Sequence, residues 1–361
     1  MFVAWKDLRF AKGRFTLMGT VIVLITLLVG LLSGLTAGLA RENVSAITGL
    51  PADRLAFAAP PADRPVSFTD STVTETQWRR WAERPGVTSA EPLGIRTLGG
   101  VAGDRTASVS AFGTEPGSGL APESERLGPG RVVLSRSAAE ELGAAVGGTV
   151  RLGPLEAVVA AVAGDASYSH TPVVWTSLGD WQKLGRSGTT PDEQATVIAL
   201  RTGDGADLAA GDRALGTEAR SIDEALTAIG SYQAENGSLQ LMRGFLFAIS
   251  ALVIGAFFTV WTIQRSGDVA VLKALGASTA YLLRDALGQA VLMLGAGTLL
   301  GTGLAVSIGA LVSGGDVPFV LEPATVLGPA AVMILLGVLG AGLSIRRITA
   351  VDPLTALGSA R

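Results

Sequence analysis

The amino-acid sequence predicts an α-helical membrane protein with four transmembrane helices and one α+β domain outside the membrane. Of its 361 residues, 48% are hydrophobic and only 16% are charged, whereas a water-soluble domain carries about 25% charged residues. The charges are unevenly placed, because four long stretches contain none and the interval from Arg41 to Arg243 holds most of them. The chain therefore combines a membrane part with a water-soluble part.

Each uncharged stretch is long enough to cross a bilayer, whose hydrocarbon core of about 30 Å needs about 20 apolar helical residues. The predicted spans are residues 15–40, 244–264, 286–315 and 323–345. The first stretch resembles a secretory signal in its basic start, but it continues through Leu39. A signal core holds only about 7 to 15 apolar residues, so we interpret this stretch as a retained span.

The orientation follows from Lys and Arg residues, which stay on the cytoplasmic side when they flank spans. The N-terminal segment 1–14, the loop 265–285 and the tail 346–361 carry such residues, whereas the loop 316–322 carries none. We therefore expect both termini in the cytoplasm. The domain formed by residues 41–243 is expected on the outer side.

That outer domain mixes strand and helix patterns. Short β-branched runs predict strands at 131–134, 149–152, 157–162, 173–175 and 196–200, and helical periodicity predicts helices at 74–83 and 135–142. The Pro-rich stretch 51–65 is predicted to be a loop or linker. From residue 221 to 243 the pattern predicts a stalk helix that runs into the second span without a break.

Motifs for soluble chemistry are missing from the sequence. It has no G-x-x-x-x-G-K-[ST], H-E-x-x-H or G-x-S-x-G motif, His170 is its single histidine, and it has no cysteine. The net charge of -3 does not favour nucleic acid as a partner. The sequence therefore predicts a non-catalytic protein, and a separate subunit must supply energy for any uphill transport.

The loop after the second span contains a short amphipathic helix over Arg265 to Ser278. Its apolar face carries Val269, Leu272 and Leu275, and its edges carry Arg265, Asp268 and Lys273. Periodicity alone equally allows a helix that lies on lipid. The run Arg265 to Ser278, with LKALGAS at its core, resembles the signature of the FtsX/MacB superfamily of ABC permeases.

The likeness to that superfamily covers the whole chain: an amphipathic elbow at 1–14, one span, a large outer domain and three further spans. It implies a type VII ABC permease-like fold in a bacterial plasma membrane, surrounded by lipid. It also implies that the loop 265–285 is a coupling segment for a cytoplasmic ATPase subunit, which binds the ATP. An ABC exporter needs two membrane halves, so the resemblance also implies a permease homodimer with two such ATPase subunits. Separately, two spans contain glycine spacings that let helices approach closely. These glycines are Gly30, Gly34 and Gly38 in the first span and Gly297 and Gly301 in the third.

Two segments, Tyr168 to Trp175 and Ser231 to Glu235, are similar to the haem-exporting branch of this superfamily, which includes HrtB and DevC-type permeases. This resemblance implies export of haem as the transported ligand, with no intrinsic cofactor and no metal beyond the haem iron. Two alternatives stay open. One is an FtsX-like transmitter that activates an extracellular partner, and the other is an exporter of lipids or macrolide-like amphiphiles.

A haem site needs an axial donor, an apolar slot and groups for the propionates. The predicted site residues are Tyr232, Glu235 and Met242 as donors, Arg243 for a propionate and Phe245 as aromatic surface. Taken singly, Met242 and Phe245 fit ordinary packing better than a ligand site, Tyr232 an interface anchor and Arg243 a span end. As a cluster at the mouth of a span, they favour a ligand site more than each does alone. His170 is a second donor candidate, which we expect to fix a turn in the outer domain, away from the slot.

Overall fold

A computed structural model describes residues 12–62, 64–185, 194–264, 267, 271–273, 275–313 and 317–349. The described chain forms two compact units. One, the membrane unit, comprises the residues up to Gly38 and those from Ser238 onward. The other, the interspan domain, comprises Leu39–Gly237.

The described residues contain nine α-helices whose two ends are both defined. In chain order they are α1 Lys12–Thr48, α2 Glu75–Ala82, α3 Arg136–Leu142, α4 Leu178–Lys183, α5 Leu208–Leu215, α6 Ile222–Ala225, α7 Tyr232–Gln264, α8 Thr279–Val312 and α9 Pro323–Thr349. Helices α1, α7, α8 and α9 are long and apolar enough to cross a membrane. The prediction of four spans is therefore confirmed.

The membrane unit is held together by one buried stripe on each of its long helices. On α7 this stripe is Ser250, Ile254, Phe258 and Thr262, with one buried residue per turn. Ile254 and Phe258 pack in a core with Met18 and Ile22 of α1. The remaining faces are largely apolar and exposed, which is what a helix in contact with lipid requires.

The glycine spacings serve helix contacts within this chain. A Cβ atom on Gly297 of α8 would lie 2.6 Å from Cγ2 of Ile22, and one on Gly301 would lie 2.6 Å from the carbonyl oxygen of Val23. On α1, a Cβ atom on Gly30 would lie 2.8 Å from that of Ala305. Small residues therefore let α1 and α8 approach closely.

The strands of the interspan domain are β1 Arg54–Ala58, β2 Val73–Thr74, β3 Val87–Ala102, β4 Arg105–Thr114, β5 Arg131–Leu134, β6 Thr149–Leu152, β7 Leu155–Val162, β8 Ser167–Tyr168, β9 Thr171–Ser177, β10 Gln194–Ala195, β11 Val197–Thr202 and β12 Thr217–Ser221. The main sheet has the order β12-β1-β11-β3-β4-β9-β5-β7-β6. The pairs β4–β9 and β5–β7 are parallel, and the other pairs along this order are antiparallel.

A pairing between β3 and β6 closes six of these strands into a ring, in the order β3-β4-β9-β5-β7-β6. Gly100 of β3 lies opposite Leu152 of β6. Apolar residues of the ring, including Val109, Val150 and Val174, form a core with Leu142 of α3. Ser135 caps α3, because its side chain accepts a hydrogen bond from the backbone of Ala138.

Two sequence predictions in this domain are wrong. The stretch 51–65 is not a simple linker, because β1 crosses it and pairs with both β11 and β12. Its prolines flank the strand and leave Leu55, Ala56 and Phe57 free to become buried. The predicted stalk helix at 221–243 is interrupted, because Ile229 has an extended backbone and α7 begins at Tyr232. Ile229 is only 2% exposed, so this break places its side chain in the core.

Candidate functional site

The site begins with the tight turn between β8 and β9. Tyr168 pairs with Thr171, which leaves Ser169 and His170 as a two-residue loop. Both have positive φ, 49° and 60°, as a type I′ turn requires. Residues other than Gly, Asn and Asp rarely adopt a positive φ, so contacts with the surrounding structure must hold this turn.

Those contacts come from helix α1. The backbone N–H of Ser169 donates to the carbonyl of Asn43 at 2.9 Å, and that of His170 donates to the carbonyl of Glu42 at 3.2 Å. The hydroxyl of Ser45 accepts from the backbone N–H of Ser167 at 2.9 Å. The hairpin is therefore fixed against the end of α1 by its backbone.

The docked turn places His170 between two carboxylates. Nε2 of His170 lies 2.7 Å from Oε2 of Glu235, and Nδ1 lies 3.7 Å from Oε2 of Glu42. An ionised carboxylate only accepts hydrogen bonds, so Nε2 is the donor in the short contact. The sequence-based expectation that His170 lies away from Glu235 is wrong. The two residues are 65 positions apart in the sequence, but the hairpin turn docks next to the start of α7.

A buried amide completes the arrangement around Glu235. Asn43, which is 1% exposed, donates from Nδ2 to Oε2 of Glu235 at 2.7 Å and to the hydroxyl of Ser231 at 3.2 Å. Two donors thus converge on the same carboxylate oxygen. Within the part of the chain that the structure describes, Oε1 of Glu235 takes no hydrogen bond, and the side chain is 41% exposed. Two hydrogen bonds therefore fix Oε2 of Glu235, and the other oxygen of this carboxylate has no protein donor in the described chain.

Two members of this arrangement, Glu42 and Asn43, were not predicted from the sequence, and Ser231 was noted only as the start of a segment with family resemblance. Residues 42 and 43 follow an apolar span and are expected to mark its boundary only. Among the described residues, no group of three or more His, Asp or Glu side chains is placed to hold a metal ion.

The other predicted haem residues have different surroundings. Tyr232 is half-buried and packs against the core of the interspan domain. Met242 and Phe245 belong to the membrane unit and are 46% and 61% exposed, whereas Arg243 is half-buried. Met242 is therefore not part of a tight core.

The predicted coupling segment is described only in part. Leu272 and Lys273 lie in a helical turn, whereas Arg265, Asp268 and Val269 lie outside the described residues. Gly276 ends the turn with φ of 94°, and the N–H of Ala277 reaches back to the carbonyl of Leu272 at 3.0 Å. This is a Schellman cap, in which glycine supplies the left-handed residue. Leu275 beside it is 80% exposed.

Comparison with known families decides the assignment of the chain. The family model of the MacB-like periplasmic core domain matches residues 15–218, and that of the FtsX-like permease C-terminal region matches residues 241–353. The chain belongs to the FtsX/MacB family of ABC permeases. This permease thus has four membrane helices and an extracytoplasmic MacB-like α+β domain, and its family implies an ATPase partner.

Full-length relatives agree with this assignment. The permease is 26% identical to the HrtB protein of Staphylococcus haemolyticus, whose name places it in a hemin transport system, with 99% of each chain covered. It is 24% identical to an uncharacterized ABC transporter permease of Mycobacterium tuberculosis strain H37Rv, again with 99% of each chain covered. Among solved structures, the periplasmic region of MacB from Actinobacillus actinomycetemcomitans covers 49% of this permease and 92% of its own chain, with 12% identity and a TM-score of 0.35.

Proposed function

We propose that this permease is the membrane subunit of an ATP-driven exporter that removes haem from a bacterial plasma membrane. Both termini lie in the cytoplasm, and two copies of the permease act with two ATPase subunits. Support comes from the full-length likeness to HrtB, whose name assigns it to hemin transport. Support for the cytoplasmic termini comes from the basic residues that flank the spans.

The fixed carboxylate of Glu235 is the observation that carries the haem proposal. Asn43 and His170 hold Oε2, which leaves Oε1 as an oriented oxygen donor for the haem iron. His170 then acts as a positioning residue, as partners of metal-binding side chains usually do. Met242, Arg243 and Phe245 belong to the membrane unit and stay candidates on their residue types alone, as a sulfur donor, a propionate partner and an aromatic surface.

The test is a haemin titration of the permease in lipid nanodiscs, followed by its Soret band. Glu235→Gln keeps the size of the side chain but replaces the anionic donor, so we expect the bound spectrum to be lost. His170→Gln removes a positioning contact, so the band should keep its wavelength while affinity falls about 10- to 100-fold. Glu125→Gln, at an exposed site in the same domain, is the matched control.

Other outcomes lead to different conclusions. If His170→Gln shifts or abolishes the Soret band while Glu235→Gln leaves it intact, His170 is the iron ligand and our assignment of Glu235 is wrong. If no variant changes haemin binding, the site lies elsewhere. The export step is tested in proteoliposomes that also contain the ATPase subunit, where haemin should leave the membrane only when ATP is present.

A further inference from the structure

A cavity of about 470 Å³ lies in the interspan domain, apart from the cluster around Glu235. Ligand pockets typically measure about 300 to 1,000 Å³. Its wall combines aromatic rings with polar side chains. The wall includes the aromatic residues Phe68, Tyr168 and Trp181 and the polar residues Thr72, Arg96 and Gln182.

The cavity exists because β3 changes partner along one edge. On the edge opposite β4, β3 pairs with β11 as far as Leu93 and with β6 only from Gly100. Thr196 partly fills the interval, because its hydroxyl accepts a hydrogen bond from the N–H of Ile95 at 2.8 Å. The cavity opens at this interval, beside Ile95, Arg96 and Thr97.

Arg96 gives the cavity a positive charge. Its guanidinium lies over the indole ring of Trp181, 5.2 Å from the ring centroid, which is a cation–π distance. Among the described residues, no carboxylate forms an ion pair with Arg96, and the side chain is half-buried. A half-buried cation without an anion is a site that an anionic ligand can complete.

Tyr168 supplies an unused hydrogen-bond donor. It is only 8% exposed, it lines the cavity, and its phenol oxygen has no hydrogen-bond partner in the described part of the chain. The rings of Phe68 and Phe112 hold it edge-on, at centroid distances of 5.7 and 5.6 Å. Burial raises the pKa of the phenol well above its ordinary value, so the hydroxyl keeps its proton.

We propose that this cavity binds a small organic anion with a flat apolar body. The guanidinium of Arg96 and the hydroxyl of Tyr168 bind the anionic group, because an anion accepts strong hydrogen bonds from both. The apolar body lies against the aromatic rings of Phe68 and Trp181. Neither Glu235 nor His170 lines this cavity, so the site is independent of the haem proposal.

Naphthalene-2-sulfonate and its neutral analogue naphthalene-2-sulfonamide test the proposal, because they share the ring system and differ in charge. Binding to the full permease in nanodiscs is measured by calorimetry, with empty nanodiscs subtracted. We expect saturable binding of the sulfonate and about tenfold weaker binding of the sulfonamide, which corresponds to one charge-assisted hydrogen bond. Arg96→Gln should weaken the sulfonate about tenfold and leave the sulfonamide unchanged.

Three further variants make the test decisive. Arg131→Gln, at an exposed arginine on β5, should bind the sulfonate like the wild type. Tyr168→Phe should weaken it severalfold, and Thr72→Trp should block the cavity from an exposed position. The proposal is overturned if the sulfonate does not bind, or if Arg96→Gln, Tyr168→Phe and Thr72→Trp all bind it like the wild type.

Discussion

At the scale of single residues, Glu235 is the hydrogen-bond partner of a buried amide group, that of Asn43, which water does not reach. Asn43 is 1% exposed, so its Nδ2 group must find partners within the protein, and Glu235 accepts its shortest hydrogen bond. Replacing a partly exposed glutamate on a helix usually changes the free energy of unfolding very little. Here its removal would leave a buried donor with only Ser231, which gives Glu235 a structural role besides the proposed one.

Glu235→Ala should therefore lower the free energy of unfolding by about 1 to 3 kcal/mol, the usual cost of a buried donor that loses its partner. Gln233→Ala, two residues earlier at an exposed position of the same helix, should change it by less than about 0.5 kcal/mol. Thermal unfolding of the two variants in one detergent provides the comparison. Equal stability of the two would show that Asn43 finds another partner.

Asp180 is a second carboxylate with a structural role. It accepts hydrogen bonds from the backbone of Gly130 at 2.6 Å and from Lys183 at 2.8 Å. Burial alone would raise its pKa, but these hydrogen bonds outweigh burial and lower the pKa below 3.8. The carboxylate therefore stabilises the fold above pH 3.8, and that contribution is lost as the pH falls through the lowered folded value.

Asp180→Asn should lower stability at pH 7 by about 1 to 3 kcal/mol and flatten the loss of stability on acidification. The measurement is the midpoint of thermal unfolding from pH 7 down to about pH 2, because the lowered pKa of Asp180 lies below 3.8. Asp70→Asn, at an exposed turn, should follow the wild-type curve. An Asp180→Asn curve parallel to that of the wild type would mean that this carboxylate does not set the acid limit.

At the scale of elements, the β3–β4 hairpin carries α4 on one face. The side chain of Trp181 lies directly on Gly94 of β3 and Gly113 of β4, where added Cβ atoms would lie 2.3 and 2.2 Å from it. Only glycine leaves room for the indole there. These glycines therefore bring the tryptophan against the sheet, where it also meets Arg96.

Gly113→Ala should destabilise the domain by about 1 to 3 kcal/mol, because Trp181 must move out of its place. Gly99→Ala in the same hairpin meets no atom within 4 Å and should be nearly neutral. Chemical unfolding, with tryptophan fluorescence as a second signal, distinguishes the two. A stable Gly113→Ala variant with unchanged fluorescence would contradict this packing.

Comparison of the observed elements with the predicted ones shows which structural features the sequence encodes locally. Elements defined by local signals were predicted well, such as the strand at 131–134 and the helix that Ser135 caps. Strand β3 was missed because it contains Pro92 and several glycines, which argue against a strand unless distant partners are known. Glu235 was predicted as a site residue, but its contact with His170 depends on how a remote hairpin docks, and no local pattern encodes that.

At the scale of the whole molecule, an ABC permease must respond to an ATPase subunit on the cytoplasmic side. Leu275, beside the Schellman cap at Gly276, is the most exposed of the described large apolar residues in the predicted coupling segment, and we propose it as a contact for that subunit. An apolar side chain that is 80% exposed suits an interface better than water.

Leu275→Glu should therefore reduce copurification of the ATPase subunit and its stimulated ATP hydrolysis by about tenfold, since a buried charge replaces an apolar contact. Val146→Glu, at a position 60% exposed in the interspan domain, should leave both unchanged. Normal ATPase binding by Leu275→Glu would remove this residue from the proposed interface.

The proposed orientation is also testable, because the chain has no native cysteine. A cysteine at Thr106 in the interspan domain should react with a membrane-impermeant maleimide in intact cells. A cysteine at Ala280, at the start of α8, should react only after the membrane is opened. Both positions are exposed, so accessibility to solvent does not distinguish them. The reverse labelling pattern would show that the proposed orientation is wrong and that the interspan domain faces the cytoplasm.

The turn at Ser169 and His170 has a mechanical consequence for α1. Its two backbone N–H groups donate hydrogen bonds to the carbonyls of Glu42 and Asn43, which are successive residues of a helix. Successive residues of an α-helix are rotated by about 100° and shifted by 1.5 Å, so a slip of one residue would separate both pairs. The hairpin therefore fixes the rotational setting of the last turns of α1, and any twisting of that segment must first release His170 from its backbone partner.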